Sequence, residues 1–187
     1  MIRNDGGKGE YETVTLGTSA YEALANGSVD FTLEIQTWEG VNADLLGRAQ
    51  RGFRYADFGV PDQQTTLIGG NGSWIAANPD TTRAFVQAVQ RGYAFAGQNP
   101  DAAAEMLIEA SDGMLPDAKL VHGSMAALVE GGFLQDKGEP VGLVDGEMLA
   151  RGAAFLVEAG GLRDASGTAL SAAPDVSDWF SNEFLAP

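Results

Sequence analysis

Gln36-Thr37-Trp38-Glu39 brings an amide, a hydroxyl, an indole and a carboxylate together on four consecutive residues. An indole stacks on a flat heterocycle, and a carboxylate accepts hydrogen bonds from ring amino groups. The same stretch has a plainer reading: Glu39 is a first-turn helix acid, and Trp38 is a lip residue packed on its loop. Tyr55 and Asp57 form a second polar pair, read either as ligand contacts or as a solvated turn. Thr65 and Thr66 form a third, suited to ligand contact or to hinge duty. His122 is the only histidine and sits among Val121, Gly123 and Ser124 on an expected helix. A catalytic role would need a base and a nucleophile beside it, so it reads as a surface or packing residue. With no cysteine, one histidine and no HExxH spacing, the chain lacks a zinc ligand set. Disulfides and thiolate nucleophiles are excluded with it. Gly69-Gly70-Asn71-Gly72 lacks the Lys-Ser/Thr of a phosphate-binding loop and reads as a turn. No cofactor is implied.

The elements that must position these residues follow from patterning. Residues 13–16 include the β-branched Thr13, Val14 and Thr15 and read as a strand, and 19–26 as a short helix closed by Gly27. Residues 29–36 alternate, with Val29, Phe31, Leu33 and Ile35 on one face, and read as a second strand. A helix is expected over 38–48 and a strand over 53–60, broken by Pro61-Asp62. This order predicts an α/β layer with a parallel sheet, whose ligands collect at the carboxyl ends of strands. Those ends are residues 36–39 and 57–60. A further strand is expected over 65–68; residues 73–77 fit either a short strand or a turn of helix. Beyond them the chain reads as helical. Asn78-Pro79-Asp80 and Asn99-Pro100-Asp101 are start signals in which Asn can cap, Pro suits the first position and Asp favours the positive end. Further helices are expected over 116–133, 145–159 and 175–185. The aromatic set Phe85, Tyr93, Phe95, Phe155, Trp179, Phe180 and Phe184 has helical spacing and reads as core.

The 187 residues suffice for one domain or two small lobes, and 44% are apolar, which is globular. Net charge is −15, with 26 acidic against 11 basic side chains. Such a balance repels nucleic acid and anionic membrane surfaces. The second half, residues 94–187, carries 15 of the acids and 4 of the bases, which fits a solvated helical face. No run approaches about 18 apolar residues, and the first seven residues carry no apolar signal core. Taken alone, that points to the cytoplasm.

Several stretches carry a family likeness. Residues 23–31, Ala-Leu-Ala-Asn-Gly-Ser-Val-Asp-Phe, are similar to an "ALxxGxVDA" helix–turn–strand. Trp38-Glu39 sits where such proteins often have an aromatic residue and a Glu at the cleft, and residues 55–61 resemble "DYGVP". Residues 78–96 resemble "PDxxRRFLxAxxRGxxxA", continued at 99–103, and Gly160-Gly161-Leu162 with 179–185 resemble "xGLI…FTNEFL". In order and spacing, residues 13–187 resemble the THI5-like, thiamine-precursor branch of the solute-binding proteins, close to the sulfonate and nitrate binders.

The resemblance implies a type II periplasmic-binding-protein-like α/β fold with two lobes around a cleft. Residues 1–62 would be part of the second lobe. Residues 63–187 would return to the first lobe, whose opening half would be absent together with the export signal. On that reading the missing signal no longer supports the cytoplasm, and a periplasmic or extracellular membrane-attached site is expected. The implied function is that of the solute-binding component of an ABC importer, with an aminopyrimidine-like heterocycle as ligand, an ABC permease as partner and no enzymatic activity. The alternatives are a pyrimidine-precursor synthase on the same fold and a ligand-sensing regulatory module. The synthases that the resemblance brings in use a histidine and a cysteine-rich segment, whereas this chain has no cysteine and His122 lies in the wrong part; a pyridoxal-dependent site would also need a lysine near the cleft, and Lys8, Lys119 and Lys137 lie away from strand ends. No helix-turn-helix accompanies the chain as a regulator would require. An exposed half-cleft would favour a homodimer.

Overall fold

The computed structural model describes residues 2–3, 5–48, 50–135 and 138–186. The α-helices are α1 Ala20–Ala25, α2 Val41–Leu45, α3 Gly72–Ala77, α4 Pro79–Gln98, α5 Pro100–Ala110, α6 Ala118–Glu130 and α7 Gly146–Glu158. Shorter 3-10 turns occupy Gly17–Ser19, Tyr55–Phe58 and Ser177–Trp179, and a π-helical turn occupies Gln36–Gly40. The chain forms two compact units. One comprises Met1–Glu10, Phe53–Gln90 and Gly142–Pro187; the other comprises Tyr11–Gly52 and Arg91–Val141.

The helical half follows the sequence closely, because its apolar spacing and end signals agree. Asp117 caps α6 by accepting from the Leu120 amide at 3.2 Å. Asp145 caps α7 by accepting from the Glu147 and Met148 amides at 2.9 and 3.1 Å. The two Asn-Pro-Asp signals work differently from expectation. The Asn78 side chain donates back to the Trp74 carbonyl at 2.9 Å. Asn99 likewise donates to the Phe95 carbonyl at 3.1 Å. Each carboxamide therefore closes the helix before it, and Pro with Asp opens the helix after it. The C-terminal helix expected over 175–185 is reduced to the Ser177–Trp179 turn, because the segment 180–186 is held by side chains of other elements instead.

Those tethers define the packing of the first unit. Asn182 accepts from the Val144 amide and donates to its carbonyl, both at 2.9 Å. Gln64 accepts from the Asp145 amide at 2.8 Å and donates to the Leu143 carbonyl at 3.0 Å. Gln90 does the same for Ala186, at 2.9 and 3.3 Å. Arg83 donates to the Glu183 carbonyl at 2.6 Å and lies over the buried Phe184 ring at 5.4 Å.

The second unit is built on α5 against α6. Ala103 and Ala104 of α5 meet Val121 and Met125 of α6, and Ala104 is fully buried. Small side chains on α5 let the helices approach closely. Trp38, Ala96, Ile108, Leu115 and Leu134 pack around this cluster.

The expected parallel sheet does not form among the described residues. The one β-type contact is an isolated antiparallel bridge between Arg163 and Ala169. Residues 13–16, 29–35 and 65–68 run without a ladder, and 55–58 coil into a 3-10 turn. Phe31, Leu33 and Ile35 keep their alternation but are 59%, 62% and 60% exposed, while Thr32 and Glu34 are half-buried. A period of two places residues on alternate faces; a second strand and a covering layer decide which face turns inward. No second strand pairs with these segments among the described residues.

Asn182→Ala should cost about 1–3 kcal/mol, because both Val144 backbone groups lose their partner. Urea denaturation would read it as a lower midpoint at unchanged slope, with Asn182→Asp, which keeps only the acceptor, losing less.

Candidate functional site

Three amides converge on one carbonyl to make the π-helical turn. The Ile35 oxygen accepts from Trp38, Glu39 and Gly40, at 2.9, 2.9 and 3.4 Å. Glu39 then reaches back, one carboxylate oxygen accepting from the Ile35 amide at 2.8 Å. This is the logic of a capping box, with the acid satisfying an orphan donor at the start of a helical stretch. Gln36, Thr37, Trp38 and Glu39 are thus held on a single turn that leads directly into α2.

The turn is supported from beneath by α5 and α6. Trp38 leans on the Ala103–Ala104–Val121–Met125 cluster and keeps part of its surface open to solvent. Val41, next after the turn, lies over Gly123 of α6, where an added Cβ would come within 2.8 Å of its Cγ1. Beside the turn, Tyr21, Glu39, Asn42, Ala43, Arg48 and Gln50 line a small pocket of about 20 Å³. That volume admits one water or one amino group, not a ring. Arg48 is turned toward Glu22, which it grips with both guanidinium nitrogens at 2.8 and 3.2 Å. Glu39 is therefore the anionic acceptor of the pocket.

Electrostatics around Glu39 are strained. Burial raises the Tyr21 hydroxyl above its usual value, and the charge of Glu39 and its hydrogen bond with the phenol raise it further, with Glu34 adding to this. Burial also raises the Glu34 carboxyl, and Glu39 and Asp44 add like-charge repulsion. Arg48 lines the same pocket but is engaged by Glu22, so the accumulated charge of Glu34, Glu39 and Asp44 would favour an incoming donor or cation.

The other expected residues lie in the first unit. Tyr55 and Asp57 share the Tyr55–Phe58 turn, closed by Gly59 at φ 79° and a Val60 amide to Tyr55 carbonyl bond of 3.1 Å. Both side chains are exposed. Thr65 and Thr66 are exposed as well, and Thr66 adopts φ 66°, a left-handed conformation costly for a β-branched residue. The same unit contains an apolar cavity of about 110 Å³ bordered by Leu67, Met148, Leu149, Leu156, Leu162 and Trp179. Lys137 lies outside the described residues. Among the described residues no group of acids and histidine is arranged to hold a metal.

Sequence reasoning missed Tyr21, Glu34, Asn42 and Arg48. Tyr21 and Arg48 reach the turn through contacts that no local motif announces. Glu34 was legible only as the polar member of an alternating segment.

The fold and this turn can be set beside known proteins. The chain belongs to the NMT1/THI5 like family, whose model matches residues 1–103, more than half of its length. That family has a periplasmic-binding-protein-like fold, and membership points to substrate binding or a pyrimidine-related function. The match includes every expected site residue from Gln36 to Thr66. The likeness at residues 160–162 and 179–185 lies beyond it. No curated protein matches the chain.

Gly123→Ala should destabilise the second unit by about 1–3 kcal/mol, since the stiff Val41 side chain must move. Trp38 fluorescence, read with Trp74 and Trp179 replaced by Phe, should shift with it if the turn is displaced. Glu34→Gln should raise the melting temperature at neutral pH by relieving repulsion from Glu39 and Asp44. The sign follows from a folded value above the unfolded one: Glu34 opposes folding once ionised, and the gain should vanish below its unfolded value, near 4.5.

Proposed function

We propose that this chain is the solute-binding component of an ABC importer and that its ligand is a small aminopyrimidine-like heterocycle. The observation that carries the reading is the π-helical turn. It carries an indole and a carboxylate on consecutive residues, and the carboxylate borders a pocket of about 20 Å³. Helical irregularities of this kind recur at functional sites because they aim side chains that a regular helix would not. In this reading Trp38 stacks on the ring and Glu39 accepts from the exocyclic amine. Gln36 and Thr37 add polar contacts from the same turn.

Binding rather than catalysis is the proposed role. The sequence offers no cysteine nucleophile, and both ring nitrogens of His122 are engaged by carboxylates. An acidic surface without a basic cluster suits a neutral or cationic heterocycle better than a sulfonate or nitrate. The working place is periplasmic or extracellular, at the membrane face of a permease.

Titration calorimetry with 4-aminopyrimidine, pyrimidine and methanesulfonate tests this. The amine should bind at least about tenfold more tightly than the unsubstituted ring, ~1.4 kcal/mol, and Glu39→Ala should erase that difference. Equal affinity for both rings, or binding of the sulfonate alone, would sink the reading.

A further inference from the structure

His122 projects from α6 toward α5 and meets two carboxylates there. Its Nδ1 lies 3.2 Å from Asp101 Oδ1 and its Nε2 lies 2.8 Å from Glu105 Oε1. Asp101 and Glu105 are one helical turn apart on α5, so they flank the ring like the jaws of a clamp. An ionised carboxylate only accepts. A neutral imidazole has one N–H and one lone pair, and so can serve one of these partners while turning a lone pair toward the other. Only the imidazolium donates to both. The geometry is therefore that of a charged histidine. Beneath it lie Ala103, Ala104, Val121 and Met125, the cluster on which Trp38 packs.

We propose that His122 is a pH-responsive latch: its imidazolium bridges Asp101 and Glu105, fixes α6 on α5 and steadies the platform of Trp38, and loss of its proton releases the bridge. The latch is a property of the second unit and holds whatever the ligand is. Loss of the proton removes one donor and leaves two like charges facing each other on one helix face.

The titration is set by these partners. Hydrogen bonds from Glu105 first and Asp101 second raise the imidazole above its ordinary 6.5, against a smaller opposing effect of burial. The other elements packed on α6 bring Glu39 and Asp44, α5 also carries Glu109, and α6 itself carries Asp117, Lys119 and Glu130. None of these contributes to the shift. Because the folded value is the higher one, the stabilisation is complete below the unfolded value and disappears as pH rises through the folded value. Asp101 and Glu105 are largely solvent-exposed, so salt should weaken the latch.

The sole histidine gives one imidazole Cε1–H resonance in the full chain, which can be followed by NMR from about pH 5 to about pH 9. Its midpoint should lie above 6.5, fall most in Glu105→Gln, fall less in Asp101→Asn, and drop toward 6.5 in about 1 M salt. In parallel, the melting temperature of the unaltered chain should decline between about pH 6 and about pH 8 more steeply than that of His122→Asn. A midpoint at or below 6.5, a midpoint insensitive to Glu105→Gln, or equal slopes for the two proteins would overturn the proposal. Should His122→Asn fail to fold, the Glu105→Gln titration alone decides.

Discussion

Every backbone amide and carbonyl that leaves water must find a partner, and the described residues meet that demand without a sheet ladder. Helices satisfy their own interiors. Between them, side-chain carboxamides and carboxylates take over the task that strands would perform. Gln64, Gln90 and Asn182 each bind a stretch of backbone far away in sequence, with both a donor and an acceptor. They hold Leu143 to Asp145 and the C-terminal tail in place with the same pair of bonds that one residue of a ladder would supply. Asn78 and Asn99 close helices in the same currency, and Glu39 closes the turn it belongs to. Where no such side chain is at hand, as at residues 30–34, the backbone N–H groups find no partner among the described residues and the segment stays at the surface.

That arrangement shapes the candidate site. Glu39 does two things at once: one oxygen completes the turn, while the side chain borders the small pocket beside Tyr21. In the proposed role, a position fixed in this way would reduce the ordering cost of recognition. Trp38 has a similar double character. Its inner surface belongs to the α5–α6 packing, and its remaining surface is available for stacking. A structural role and the proposed ligand-binding role are compatible in these residues, because different atoms of the same side chain would carry them.

The support beneath the turn is thin and made of small residues. Alanines on α5 and a glycine on α6 let α5, α6 and α2 sit close, with few large buried side chains to lock them. In so light a core the polar contacts at the rim matter more than they would over a dense one. The Arg48–Glu22 pair and the His122 clamp are both such rim contacts. Each joins segments 17 residues or more apart in sequence.

The sequence by itself determined the helices, the family and the residues worth examining. Periodic apolar spacing over 79–98, 100–110, 118–130 and 146–158 is a local signal, as are Pro79, Pro100, Asp117 and Asp145, so helix existence and most helix ends were legible. The stretch Gln36–Glu39 was legible as a chemical cluster at the start of a helix. Only the tertiary structure decided which way Asn78 and Asn99 point, that Glu39 folds back on Ile35, and that Tyr21, Glu34 and Arg48 join the same neighbourhood. It also decided that residues 29–35 turn Phe31, Leu33 and Ile35 outward. The physical reason is common to all of these. A helix is paired within itself, so its pattern is enough, whereas a strand, a pocket or an ion pair is completed by residues whose separation in sequence carries no information about their distance in space.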